Sequence, residues 1–557
     1  MTNIYFSRIS LITQIMSKTR ELKINILPEG SMVHRHTSVM LDLKSRANYY
    51  EYMNIIVDES PIIPYEIYRR YIYGSPYGRV SISGDVIGPT FIDEKPARLE
   101  RMFPDGNGRF GKGTEYHLFN LAANTWQLHY YRLTNQFHDM GKLKKDVFEQ
   151  MNVEYTAVMR RFSSQGWVSN WDQSHPSVWL TAYVIRILET ASFQDWEDFI
   201  YIDPNVFGSA VMWLLNYQSE EGAFMETEHF DRPLHYAMFS EDKRNISLTA
   251  HVLIALTETA DKLQGDVKRF SNTGRQRAIR YLEKHLAKIT DPYEVAITAY
   301  ALSLAKSSEA NAAYGKLLQM KREKGGKVYW SRSEIKTNNV RYEFNRPYLQ
   351  HKELQTDDAL AVEATSYALL TLFLVEGGGV TIVQDQITDW LNTMRMGDGG
   401  FIATVDTIVA LEALVTYSYN NRINDITELN VEVELPDSNI TERVEVTGKE
   451  ALGISRLRTI NIPHVWGTIV FHTTGAGQAV VQLDTNHGID YEPNKDIPPK
   501  ECFNLTIEEY PNIRSRNKSE IVVKSCFSWT CTDESPVSGM AMLEVDIPSG
   551  YIMLQVK

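Results

Sequence analysis

LTAYVIRILETA, residues Leu180–Ala191, spaces its apolar side chains at three and four around a Thr-Ala pair, and the chain uses this phrase again. It returns as LTAHVLIALTETA at Leu248–Ala260, ITAYALSLA at Ile297–Ala305, ATSYALLTLFL at Ala364–Leu374 and DTIVALEALVTY at Asp406–Tyr417. That spacing is helical. The same helix is therefore reused along a stretch that begins near Tyr116 and ends near Ile423.

A second phrase alternates with the first. WLLNYQSEEGAF (Trp213–Phe224) and WLNTMRMGDGGF (Trp390–Phe401) each place an aromatic 11 residues after the Trp, and QGWV at Gln165 is a shorter echo. The Gly is expected to stop one helix and the aromatic to tuck back beneath it. The small Thr and Ala of the next phrase then let its helix pack closely. Helical hairpins repeated in this way close into an α/α toroid or stack into a solenoid.

Outside this block the period changes to two. LKINILPEG, TSVMLDL and RVSISGDVIGPT lie before it; ELNVEVELP, GTIVFHTT, AVVQLDTNHGI and, later, SEIVVKSC and AMLEVDIPSGYIMLQV lie after it. These read as strands separated by turn residues. Strands on both sides are most simply explained by a helical domain inserted into a β-sandwich whose halves are far apart in sequence.

Composition narrows the function. A chain of 557 residues that is 43% hydrophobic supports several cores. A net charge of −13 leaves no basic face for a phosphate backbone, so nucleic acid is excluded as a partner. No apolar run reaches the roughly 18 residues of a membrane span, and the opening residues 1–19, with a polar-interrupted core from Ile9 to Met16, make a poor signal peptide. The three cysteines, Cys502, Cys526 and Cys531, are confined to the C-terminal region, which excludes a thiolate metal or redox site upstream of them. Asn245, Asn439, Asn504 and Asn517 open Asn-x-Ser/Thr sequons, which tilt the reading towards secretion.

GNGRFGKGTE, Gly106–Glu115, nearly matches a nucleotide-binding loop. Its context does not fit: the preceding EKPARLERMFPDGNG is charged and broken by prolines instead of forming a buried strand, so no nucleotide is expected. Thr114 is the expected N-cap of the helix that starts near Glu115, which leaves the glycines on either side of Lys112 unexplained.

RVSISGDVIGPT followed by RMFPDGNGRFGKGTEYHLFNLAANTWQLHYYRLTNQ resembles the entry to the thioester domain of the complement and α2-macroglobulin superfamily. There the stretch reads GCGEQ, and a Cys sulfur joins a Gln carbonyl three residues later. GKGTE keeps Gly111 and Gly113 but sets Lys112 at the Cys position, Thr114 next, and Glu115 at the Gln position. The resemblance thus implies a turn kept without its thioester. A Lys112–Glu115 ion pair would be worth about 0–1 kcal/mol if exposed; a covalent amide between them is the sharper alternative. The family's acyl-accepting His falls within GAFMETEHFDRPLHYAMF, with His235 the nearer fit and His229 the alternative.

The resemblance extends over most of the chain. It implies a multidomain α + β protein in which an α/α toroid (93–423) is inserted in a CUB-type β-sandwich (20–92 and 424–493). A partial macroglobulin receptor-binding β-sandwich (494–557) follows, as in a piece of a longer polypeptide. Within the family it is most similar to the thioester-deficient macroglobulin complement-related members of insects. Those imply a non-catalytic extracellular scaffold without cofactor or metal, acting in opsonin-like innate defence or in septate-junction organisation. Its partners would be proteins or cell-surface and microbial-surface ligands. Cys526 pairs with Cys531, or Cys502 lacks its partner. An endopeptidase inhibitor of the α2-macroglobulin type is one alternative. Another is a toroidal carbohydrate-active enzyme using Glu226, Glu228 or Asp231 as its carboxylates. QTDDAL at Gln355 is only a partial echo of the acid motif of a cyclase.

Overall fold

The structure is a computed structural model. It describes residues 3–12, 17–26, 31–55, 75–88, 95–99, 113–171, 174–227, 245–335, 340–344, 354–377, 379–396, 399–421, 427–448, 452–463, 465, 467–489, 502–511 and 521–533. Two compact units are present: residues 1–345 with 352–491, and residues 346–351 with 492–557.

In the first unit the strands are β1 (Asn3–Ile12), β2 (Ser17–Ile26), β3 (Ser31–Asp42), β4 (Asn48–Ile55), β5 (Tyr77–Gly84), β6 (Arg322–Lys324), β7 (Lys327–Tyr329), β8 (Val340–Phe344), β9 (Glu428–Leu435), β10 (Ile440–Thr447), β11 (Arg458–Ile462), β12 (Gly467–Ala476) and β13 (Gln478–Ile489). One sheet runs β10-β9-β12-β4 and a second β11-β5-β13-β3-β8, so both combine strands from before and after the helices. Every recorded pairing is antiparallel, as in β13 against β3, where Val481 lies opposite Val39. Alternate residues of the two sheets meet in one core: Val39, Leu41, Val80, Ile82, Val431, Val433, Phe471 and Val481 are buried there. The stretch read as a poor leader is strand β1, paired with β2.

The helices are α1 (Thr114–Leu133), α2 (Lys142–Met159), α3 (Val178–Ala191), α4 (Pro204–Leu215), α5 (Ile246–Glu258), α6 (Gly265–Leu286), α7 (Pro292–Leu304), α8 (Ala310–Gln319), α9 (Leu354–Glu376), α10 (Ile382–Thr393) and α11 (Thr404–Asn421). The odd-numbered helices pack in sequence, α1 on α3, α3 on α5, and so on to α11, and α11 packs back on α1. These odd-numbered helices are the more buried, inner set; of the others, α2 packs on α1, α4 on α3 and α6, α6 also on α5 and α7, α8 on α7 and α9, and α10 on α9 and α11. The reused phrase is the buried helix: Leu180, Thr181, Ala182, Val184 and Ile185 of α3 are all inaccessible. Residues Asp358–Glu376 of α9 are long and apolar enough by average composition to cross a membrane, although Glu363, Thr365, Ser366 and Thr371 interrupt the apolar run. That stretch is instead largely buried against neighbouring helices.

The second phrase has a hydrogen-bonding reason that its small residues do not suggest. Gly166, Gly222 and Gly399 close tight turns at φ of 95°, 107° and 85°. Their amides donate to the carbonyls of Ser163, Ser219 and Met396. A Cβ on Gly166 would stand 2.1 Å from the Ser209 carbonyl oxygen of α4, and one on Gly222 would stand 2.3 Å from that of Arg277 in α6. Just beyond each turn, a buried N–H meets the Thr of the next inner helix. Val168 donates to Thr181 Oγ1, Phe224 to Thr249 Oγ1, Trp330 to Thr365 Oγ1 and Phe401 to Thr407 Oγ1, each at 3.0 Å. The fifth copy, Thr298, has no Gly-aromatic turn before it, and among the described residues its buried hydroxyl finds no partner.

Helices and sheets are joined by buried polar groups. Arg395, wholly buried, donates to the carbonyls of Val86 (2.6 Å), Ile87 (2.9 Å) and Gly399 (2.6 Å) and to Asn392 Oδ1 (2.8 Å). Burial without a carboxylate lowers its pKa to about 9. Gly88, at φ 98°, leaves room for that guanidinium. Asp85, also buried, accepts from Tyr130 of α1 and Ser418 of α11. Burial raises its pKa despite those bonds. The SGDVIG motif is therefore the seam between the sheets and the helices.

In the second unit β14 (Phe503–Pro511) and β15 (Ile521–Trp529) form an antiparallel hairpin. A disulfide joins Cys502 to Cys531, and Cys526 is a free, exposed thiol. This corrects the Cys526–Cys531 pairing: residue 526 lies within β15 opposite Thr506, whereas the two flanking cysteines meet where the strands leave the hairpin.

Candidate functional site

The segment with the thioester-like spacing enters α1 at Gly113. Gly111 and Lys112 lie outside the described residues, as do His229, His235, Glu228, Asp231 and Asn517. Gly113 is extended, with φ −75°, so its need for glycine is spatial: a Cβ would meet Asn170 Oδ1 at 2.7 Å and the Trp171 ring at 3.1 Å. The first turn of α1 is thus clamped against residues 169–171.

Thr114 is not the cap of its helix. Its hydroxyl donates to the Ser169 carbonyl at 2.6 Å, and its amide donates to the Asn170 carbonyl at 2.8 Å. The free amide of Glu115 is satisfied by Asn170 Oδ1 at 3.1 Å, so the cap is supplied from a distant loop. Local sequence carries no signal for that substitution. Glu115 Oε1 accepts from Thr404 Oγ1 at 2.6 Å, which ties α1 to the start of α11. Two residues on, His117 bonds the buried Glu154 at 2.6 Å, and Glu154 is held from its other oxygen by Asn120 and Gln150.

Glu226 is consumed as the external cap of α3. Its carboxylate accepts from the Val178 amide at 2.6 Å, the Trp179 amide at 3.2 Å and the Ser177 hydroxyl at 3.0 Å, at the helix end that favours negative charge. A carboxylate so engaged is poorly disposed for acid–base work. Among the described residues, no cluster of three or more His, Cys, Asp or Glu side chains could hold a metal ion. Asn245 and Asn439 are exposed in left-handed conformations and Asn504 is exposed on β14, whereas Ile246 and Ser247, which complete the Asn245 sequon, are buried.

A second polar cluster, which sequence reading did not find, lies where the inner helices meet. Arg186 of α3 donates to Glu258 of α5 (3.1 Å), Glu412 of α11 (2.8 Å) and Tyr367 of α9 (3.2 Å), and Tyr300 of α7 reaches Glu412 at 3.4 Å. Each of these residues is a polar interruption in a copy of the reused phrase, and that was the available signal. Two carboxylates share one guanidinium. Desolvation and Glu412 outweigh Arg186, and the Glu258 carboxyl is pushed up to about 8.

Residues 80–417 match the A-macroglobulin TED domain family. The chain belongs to that family, which is shared by complement proteins and macroglobulins. It is 26% identical to complement C3 of Oncorhynchus mykiss over 434 residues, covering 77% of this chain and 23% of the relative. It is 27% identical to ovostatin of Gallus gallus over 497 residues, covering 86% and 30%. It is 23% identical to complement C3 of Eptatretus burgeri over 548 residues, covering 95% and 30%. The chain thus spans between about a quarter and a third of these relatives' length.

Proposed function

We propose that this chain is a non-catalytic, extracellular member of the family that lacks the thioester and binds its partners without covalent attachment. One observation carries the reading: no cysteine occurs before Cys502, and on the resemblance of GKGTE to the family's GCGEQ we set Lys112 where the thioester cysteine would stand. The engagement of Glu115 by Thr404 supports it, because the side chain that the same resemblance sets at the acyl position serves as a helix-to-helix tether. The closed cycle of inner helices is consistent with an α/α toroid over 93–423. The two interleaved sheets are consistent with a CUB-type sandwich formed from 20–92 and 424–493, and the disulfide-closed hairpin with part of a receptor-binding domain in 494–557. The disulfide and the exposed sequon asparagines Asn439 and Asn504 fit an oxidising, extracellular setting. Partners are protein, cell-surface or microbial-surface ligands, in the opsonin-like or junctional roles that non-covalent family members would fill.

The test is release. Secreted protein bound to microbial particles or epithelial cells is washed in hot detergent under reducing conditions. Complete release is expected; a detergent-resistant adduct retaining residues 106–126 would overturn the reading.

A further inference from the structure

Helix α6 runs against the charge of the chain. It carries Lys268, Arg269, Arg275, Arg277, Arg280 and Lys284 against Asp266 and Glu283, in a protein whose net charge is −13. Whole-chain charge hides such a face. The helix buries Ser271, Gly274, Ala278, Ile279 and Leu282 and turns its opposite side to solvent. There Lys268, Arg269, Asn272, Thr273, Gln276 and Arg280 are all exposed and line one shallow groove along the helix axis.

Few of these cations are neutralised. Arg269 pairs with Asp266 at 3.2 Å and Lys284 with Glu221 at 3.6 Å, both on the open surface. Among the described residues, no carboxylate lies within ion-pair distance of Lys268 or Arg280. Arg275 and Arg277, half-buried beside the groove, keep Nε atoms without a hydrogen-bond partner among the described residues. The groove thus combines fixed positive charge with amide and hydroxyl groups over about 18 Å, the helical rise over the twelve steps from Lys268 to Arg280.

We propose that this face of α6 binds a linear sulfated polysaccharide. Sulfates match the lysine and arginine cations, and sugar hydroxyls match Asn272, Thr273 and Gln276. A nucleic-acid strand would also be attracted by the charge, but single strands are gripped by stacking on free aromatic rings; among the described residues none lines this groove, and the exposed ring beside it, Phe270, is faced by the Arg269 guanidinium, 5.2 Å from its centroid. The proposal rests on the extracellular reading above, since sulfated polysaccharides lie outside cells.

The experiment measures binding of the full chain to heparin, beside a triple variant Lys268→Glu, Arg269→Glu, Arg280→Glu, with circular dichroism to verify folding of these exposed substitutions. The wild type should bind with steep salt dependence, and the variant should lose on the order of tenfold or more at low salt. Equal binding by the variant would overturn the proposal. So would equal binding of the wild type to a DNA duplex of matched charge, which would indicate a general polyanion surface. Secretion of the chain into medium is scored separately, so failure of the extracellular reading is distinguishable from failure of the heparin site.

Discussion

Replacing Thr249 by Val tests whether the repeated Thr serves through its hydroxyl or merely through its size. Val keeps the volume and the branching at Cβ, so helix propensity changes little. It removes the acceptor for the Phe224 amide, which sits at 3.0 Å in a site where both residues are inaccessible to solvent. An unpaired buried amide costs about 1–3 kcal/mol. Thr298 provides the internal control. Its hydroxyl is already buried without a partner among the described residues, so Thr298→Val should be neutral or stabilising by up to about 1 kcal/mol. Urea unfolding followed by far-ultraviolet circular dichroism should therefore separate the two variants by at least about 1 kcal/mol at unchanged m-value. Thr249→Val matching the wild type, or Thr298→Val costing as much as Thr249→Val, would refute the hydroxyl role.

Three further outcomes are expected. Gly222→Ala should destabilise more than Gly326→Ala: both glycines have positive φ, but only the Gly222 Cβ would strike a carbonyl, whereas Gly326 faces open space, and paired melting curves decide this. Arg395→Met should cost about 3 kcal/mol or more, since it strands three buried carbonyls and Asn392; faster proteolysis at the seam near Val86 reports it. Glu258 has a folded pKa above its unfolded value, so the folded state holds an extra proton between about pH 4.5 and 8. Its contribution is fully present below that window and is lost as pH rises through it, by up to about 1.4 kcal/mol per pH unit. Glu258→Gln should flatten the pH dependence of the urea midpoint across that window.

Much of the fold was legible because periodicity is a property of the chain alone. The reused phrase marks the inner helices, and the alternation in ELNVEVELP matches the burial of Leu429, Val431 and Val433 on one face of β9. What escaped depends on partners remote in sequence. Strand β8 is five residues, VRYEF, within a helical stretch, and only its pairing with β3, more than 300 positions earlier, makes it a strand. Thr114 has the residue type of a cap, yet Asn170 takes that place because residues 169–171 approach closely enough to exclude any side chain at Gly113. The Thr of LTA was read as a small residue, and its hydroxyl proved to be the contact. The net charge of −13 described the whole surface and missed α6.

The central claim is that Lys112 has taken the place of a reactive cysteine and that nothing covalent replaces it. Intact-mass spectrometry of the secreted, deglycosylated protein, before and after methylamine treatment, measures this directly. The account predicts no uptake of methylamine and no mass deficit beyond that of the Cys502–Cys531 disulfide. Methylamine uptake, or the loss of one water mapped to Lys112 and Glu115, would contradict it.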